Sequence, residues 1–244
     1  MKLSGMGTLS ILSLLAVQSV AAAQGTFDRS KPPELGPPPQ VSLPPITTRQ
    51  LPNGLKLMIV EQHELPLADF VLLVGSGSTA DPASKPGIAN LVAGMLREGT
   101  TTRKSLEIAD QIAFLGIRLS PTSSWESSTL SLHTPTAQLD SALALFADVA
   151  LHPSFPANDF ERVRKTQLTE LLQLRDQGAA IASIAFPAII YGSAHPYGAP
   201  AQGTEASVKA LTTGDLQSYY QANFRPNNAT LIIVGDVTPA QIEK

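Results

Sequence analysis

The chain has 244 residues, 43% of them hydrophobic and 15% charged, enough apolar material for a globular fold with a sizeable core. A net charge of -3 and a pI near 5.8 leave no footprint for nucleic acid or for an anionic membrane surface. With no cysteine, disulfides, thiolate metal sites and cysteine nucleophiles are excluded, and no two of the four histidines (His63, His133, His152, His195) sit at helical ligand spacing.

Residues 1–23 read as a signal peptide. Lys2 supplies the charge, Leu9 to Val20 the short apolar run, and Ala21-Ala22-Ala23 a small-residue cleavage site before Gln24. The run is too short to span a bilayer comfortably, and no cysteine follows it to carry a lipid, so export without a membrane anchor is expected. Residues 24–46 form a Pro-rich linker. Pro32-Pro33, Pro37-Pro38-Pro39 and Pro44-Pro45 favour an extended polyproline conformation that buries little.

Folded sequence begins at Thr47. Thr47–Leu51 and Leu55–Val60 read as strands around the turn signal Pro52-Asn53-Gly54, and Leu67–Gly75 as a third strand. Gly75 to Pro86 is a Gly/Ser/Pro loop without the Gly-Lys-Ser/Thr of a phosphate loop. Helices are expected over Gly87–Arg97 and Ser105–Leu115, the second capped by Ser105 and burying Leu106, Ala109, Ile112 and Ala113. Ile117–Ser123 and Ser127–His133 read as a strand pair, with His133 at its end. Ala137–Leu151 and Ala157–Asp176 read as helices, the latter with a charged, solvated face. An apolar helix, Gly178–Tyr191, is expected to break at Pro187. His195-Pro196-Tyr197-Gly198 opens a loop, a short helix covers Ser207–Leu211, and Thr213 or Gly214 caps a helix to Ala222. A last strand covers Ala229–Val234.

The stretch from Gly87 to Thr100 (GIANLVAGMLREGT) resembles the zinc-binding segment of the M16 metallopeptidases, the family of insulinase, pitrilysin and the mitochondrial processing peptidases. Members read Gly-Leu-Ala-His-x-x-Glu-His-Met-x-x-x-Gly-Thr there. Asn90 stands at the first His, Ala93 at the catalytic Glu and Gly94 at the second His. Two His at i and i+4 share one helical face and can hold zinc, and the Glu between them takes a proton from the zinc-bound water. The blocks His195-Pro196-Tyr197-Gly198, Gly203-Thr204-Glu205 and Tyr220 through Asp236 are similar to the closing blocks of an M16 N-terminal domain, so the resemblance spans residues 47–244. It implies an α+β fold, a mostly antiparallel sheet packed by helices on one side. It also implies a second, homologous domain after Lys244, so that the sequence is a piece of a longer protein.

By the same resemblance the third zinc ligand falls on Glu170, and a second acidic residue two turns earlier is here Val163. Glu170 alone cannot hold zinc and is read as a remnant of the third ligand, so no metal, no catalytic residue and no cofactor are expected. The implied function is that of a non-catalytic subunit, periplasmic or secreted, that encloses peptide for a zinc-bearing M16 chain in a heterodimer. Two alternatives stand. One is an active zinc peptidase with a site rebuilt from the histidines and Glu170. The other is a stand-alone peptide-binding or scaffolding protein. The peptide-binding residues are not identified by the sequence. Asn90 is the first candidate, with backbone groups of Gly75 to Ser78.

Overall fold

A computed structural model describes residues 44–192 and 194–242, together with Gly36. The chain divides into two units, Met1–Leu43 and Pro44–Lys244, and the described sheet and helices belong to the second. The expected signal peptide and most of the Pro-rich linker lie outside the described residues. Among the described residues no helix is long and apolar enough to cross a membrane.

Six strands, β1 (Thr47–Gln50), β2 (Lys56–Glu61), β3 (Leu67–Val74), β4 (Arg118–Ser123), β5 (Ser128–Pro135) and β6 (Ala229–Gly235), form one sheet. Their order is β1-β2-β6-β3-β5-β4. Only the β2/β6 pair is parallel, so the sheet is mostly antiparallel, as expected. Register is fixed by apolar rows that cross the sheet on one face. Ile59 pairs with Ile233, Ile233 with Phe70, Phe70 with Leu132, and Leu132 with Leu119. All five are buried, and a one-residue slip would turn a whole strand's apolar set to the other face. On β5 the alternation read from sequence holds: Ser128, Leu130, Leu132 and Thr134 point inward. His133 lies within this strand rather than at its end, on the outward face opposite Asp69, with Nδ1 2.8 Å from the carboxylate.

Among the described residues eight α-helices follow the chain: α1 (Ile88–Met95), α2 (Ser105–Leu115), α3 (Leu139–Leu151), α4 (Ala157–Leu174), α5 (Gly178–Tyr191), α6 (Glu205–Ala210), α7 (Thr213–Asn223) and α8 (Pro239–Ile242). The inner sheet face joins α2 and α3 in one core, through Ile108, Ala142, Leu145, Phe146 and Val149. A second core packs Ile88, Leu91, Val92 and Met95 of α1 against Phe155, Phe160 of α4, Val208, Leu211, Leu216 and Tyr219. Each such large apolar side chain contributes about 1.5–3 kcal/mol on burial.

Four local expectations are corrected. The N-cap of α2 is Lys104, not Ser105. Its extended backbone breaks the helix, its N–H donates to Glu107 at 2.7 Å, and the Ser105 hydroxyl instead reaches Asp159. The buried stripe of α2 is Ile108, with Ile112 and Leu115 partly buried beside it. Leu106, Ala109 and Ala113 face solvent, Leu106 at 76% exposure. Pro187 does not break α5, since the ladder continues beyond it to Gly192 N–H donating to Ala188 at 3.0 Å. Thr212, not Thr213 or Gly214, caps α7, its hydroxyl accepting the Asp215 N–H.

Candidate functional site

The segment that carries the family frame is α1, and it is held at both ends. Gly87, at the N-terminus, has φ +93° and no side chain to cap with. Asp81, six residues earlier, supplies the acceptor, taking the N–H of Gly87 at 2.6 Å and of Ala89 at 3.1 Å. Burial pushes this carboxyl up to about 6, against the opposing pull of the three amides of Gly87, Ala89 and Ile88. Gly87 also crosses the backbone of Gly203, where a Cβ would stand 2.7 Å from the Gln202 carbonyl oxygen. At the other end the Arg97 guanidinium donates to the Leu119 carbonyl on β4 at 2.6 Å, and Glu98 pairs with Arg162 of α4. Beyond the helix, Thr100 and Thr102 donate to Asp148 at 2.6 and 3.0 Å, with the Arg103 guanidinium on the same oxygen at 2.6 Å. Burial alone would raise the Asp148 carboxyl, but these donors outweigh it and hold it below the usual carboxylate range.

The three motif positions lie within one turn of this helix and differ in exposure. Ala93 is buried, at 2% exposure. Asn90 is half-buried, and among the described residues no side-chain hydrogen bond engages its amide. Gly94 is exposed and faces α4, where a Cβ would meet Val163 Cγ1 at 3.6 Å. Glu170 lies two turns further along α4, exposed to solvent. These residues do not fit a zinc ion. One neutral amide, a methyl, a bare backbone and one exposed carboxylate do not supply the N, O or S shell that zinc takes.

The histidines do not come together either. His63 sits between Asp236 (2.7 Å) and Glu61 (3.4 Å), His133 on Asp69, and His152 3.3 Å from Asp148. The Nδ1 of His195 accepts the Tyr197 N–H. Among the described residues no three His, Asp or Glu side chains are grouped as a metal ion would need. Most of the backbone of Gly75–Ser78 is occupied as well. The amides of Gly75, Ser76 and Ser78 donate to the carbonyls of Asn228, Val74 and Ser124, and the Gly77 carbonyl accepts the Tyr219 hydroxyl at 2.9 Å. Sequence reasoning missed Asp81 and Asp148. The only signals were an Asp-Pro step ahead of a helix that begins with glycine and an aspartate in the last turn of an apolar helix.

The sequence matches the family model described as insulinase (peptidase family M16) over residues 57–194, and the model described as peptidase M16 inactive domain over residues 210–244. It is 29% identical over 187 residues to an uncharacterized zinc protease of Mycobacterium leprae, covering 77% of this chain and 42% of that protein. It is 24% identical over 192 residues to a protein of Helicobacter pylori named as a non-peptidase homologue, covering 78% of this chain and 44% of that one. The chain thus spans less than half the length of these relatives. Among solved structures, a peptidase M16 inactive domain from Pseudomonas fluorescens superimposes with a TM-score of 0.76 at 28% identity, covering 81% of this chain and 48% of that one. The periplasmic protease PqqL from Escherichia coli shares the fold, with a TM-score of 0.74 at 22% identity over 81% of this chain and 23% of its own. Since the first family match alone takes in more than half of the sequence, the chain belongs to peptidase family M16, the insulinase family.

Proposed function

We propose that this protein is a non-catalytic M16 member, exported to the periplasm or beyond, that binds peptide and helps to enclose it for a zinc-bearing M16 chain. One observation carries the reading. The frame of the zinc helix is intact and pinned at both ends, while Asn90, Ala93 and Gly94 occupy the positions of the two ligands and the general base. A scaffold kept rigid after its chemistry is lost fits a binding role better than tuning of an enzyme, because the reaction lives in the site and not in the fold. The Helicobacter pylori relative named as a non-peptidase homologue supports the same reading, and the periplasmic PqqL supports export. The second domain that the resemblance implies and the pairing with a zinc-bearing chain belong to this proposal.

The mycobacterial relative named as a zinc protease favours the rival, a metallopeptidase with a rebuilt site. Elemental analysis of the purified mature protein after mild chelation separates the two. Less than about a tenth of an equivalent of zinc per chain supports the non-catalytic reading. Tightly held zinc near one equivalent, as a closed protein site gives, overturns it. Restoring all three groups by Asn90→His, Ala93→Glu and Gly94→His is expected to raise zinc retention over the unmodified chain, with Glu170 as the remaining protein ligand.

A further inference from the structure

The block His195-Pro196-Tyr197-Gly198 folds as a single 3-10 turn, Pro196–Gly198, and brings its Tyr197 ring to the tip of the β4–β5 hairpin. Trp125 and Glu126 sit at that tip. The Trp125 carbonyl accepts the Thr79 N–H and hydroxyl, each at 2.9 Å, and Gly77 lies so close beneath that a Cβ there would stand 2.3 Å from the Ser124 carbonyl oxygen. One wall of the tip is therefore rigid. Against it the Tyr197 ring lies 5.5 Å from Trp125 at 65°, and the Tyr191 ring, at the end of α5, 5.5 Å from Tyr197 at 57°. His195 stacks on Tyr191 at 5.3 Å and takes the Tyr197 amide on Nδ1, which orients both tyrosines. The Tyr197 hydroxyl donates to the Glu126 carboxylate.

The three inclined rings, Glu126 and Pro187 line an open pocket of about 360 Å³. Three features make it more than surface packing. Tyr191 is 52% exposed, so its face is not used up by the fold. Among the described residues no lysine or arginine pairs with Glu126. The pocket also runs on, through Trp125 and Pro187, into an apolar trough of about 330 Å³ floored by Leu171, Leu174 and Ile184. Aromatic faces attract a cation through their quadrupoles, a carboxylate adds its charge, and a trough of this kind takes an apolar stem.

We propose that the cup of Trp125, Tyr191, Tyr197 and Glu126 is a cation-binding site, filled by the ammonium or guanidinium group of a Lys or Arg in a bound peptide whose neighbouring residues are apolar. The peptide as source rests on the proposed function, whereas the affinity for a cation does not.

Trp125 is the sole tryptophan, so the fluorescence of the full chain reports directly on the cup. Choline should change it saturably, while its neutral carbon isostere 3,3-dimethylbutanol should not. The peptide acetyl-Ala-Leu-Lys-Leu-Ala-amide should bind roughly ten-fold more tightly than its norleucine counterpart. Glu126→Gln and Tyr191→Leu, both at exposed positions, should erase most of these differences with an unchanged far-UV circular dichroism spectrum. Equal responses to choline and the isostere, or a preference that both variants keep, would overturn the cation site. A choline response with neither peptide binding would leave the cation site standing and overturn the peptide-binding reading instead.

Discussion

Asp81 reaches across five residues to cap a helix that starts on a left-handed glycine, and it does so at a cost in solvation. Because its folded value lies near 6, above the ordinary 3.8, the fold favours the protonated form. Its contribution to stability is therefore complete below about pH 4 and is lost as pH rises through 6. Chemical denaturation of the wild type and of Asp81→Asn between pH 4 and 7 should show a decline, of the order of 2 kcal/mol, present only in the wild type. Asp148 has the opposite sign. Its depressed carboxyl stabilises the fold above the ordinary value of 3.8, and that gain fades as the pH falls below it. Removing it by Asp148→Ala leaves Thr100, Thr102 and Arg103 without their shared acceptor and should cost about 2–4 kcal/mol in denaturation at pH 7.

The elements show which local rules prevailed. Two apolar stripes compete on α2, one through Leu106, Ala109 and Ala113 and one through Ile108, Ile112 and Leu115. Periodicity alone cannot rank them, because both repeat at helical spacing; the position of α3 and the sheet decides. Ile108→Ala should accordingly destabilise by about 2–4 kcal/mol, whereas Leu106→Ser and Phe114→Ser, at 76% and 88% exposure, should stay within about 0.5 kcal/mol by thermal or urea unfolding. Strand alternation was legible on β5, where one face is covered and the other is not. The caps at Lys104 and Thr212 were not, since Ser, Thr and Gly neighbours offer the same chemistry one residue away. At the hairpin tip, Gly77→Ala would press a methyl into the Ser124 carbonyl, so a lowered melting temperature and a blue- or red-shifted Trp125 emission are expected together.

At the scale of the molecule, the mostly antiparallel sheet, the helices packed on it and the position of the family segment were all legible, because the blocks that carry the resemblance run in order along the sequence. The aromatic cup was not: Trp125 is distant in sequence from Tyr191 and Tyr197, and only the approach of the hairpin tip to the 3-10 turn joins them. The cap from Asp81 was hidden although it is local, because it acts from six residues ahead of Gly87 rather than from the N-cap position itself. The strand order has one more consequence, for the making of the protein rather than its working. β6 is the last of the described strands in sequence yet lies third in the sheet, parallel to β2 and antiparallel to β3. On the ribosome, the β1–β2 hairpin and the β3–β5–β4 ribbon must wait as separate halves, edges open, until residues 229–235 emerge and join them. Pairing over so long a loop is entropically slow. Until then the nascent chain exposes two unfinished sheet edges, the period in which a chaperone would matter most to it.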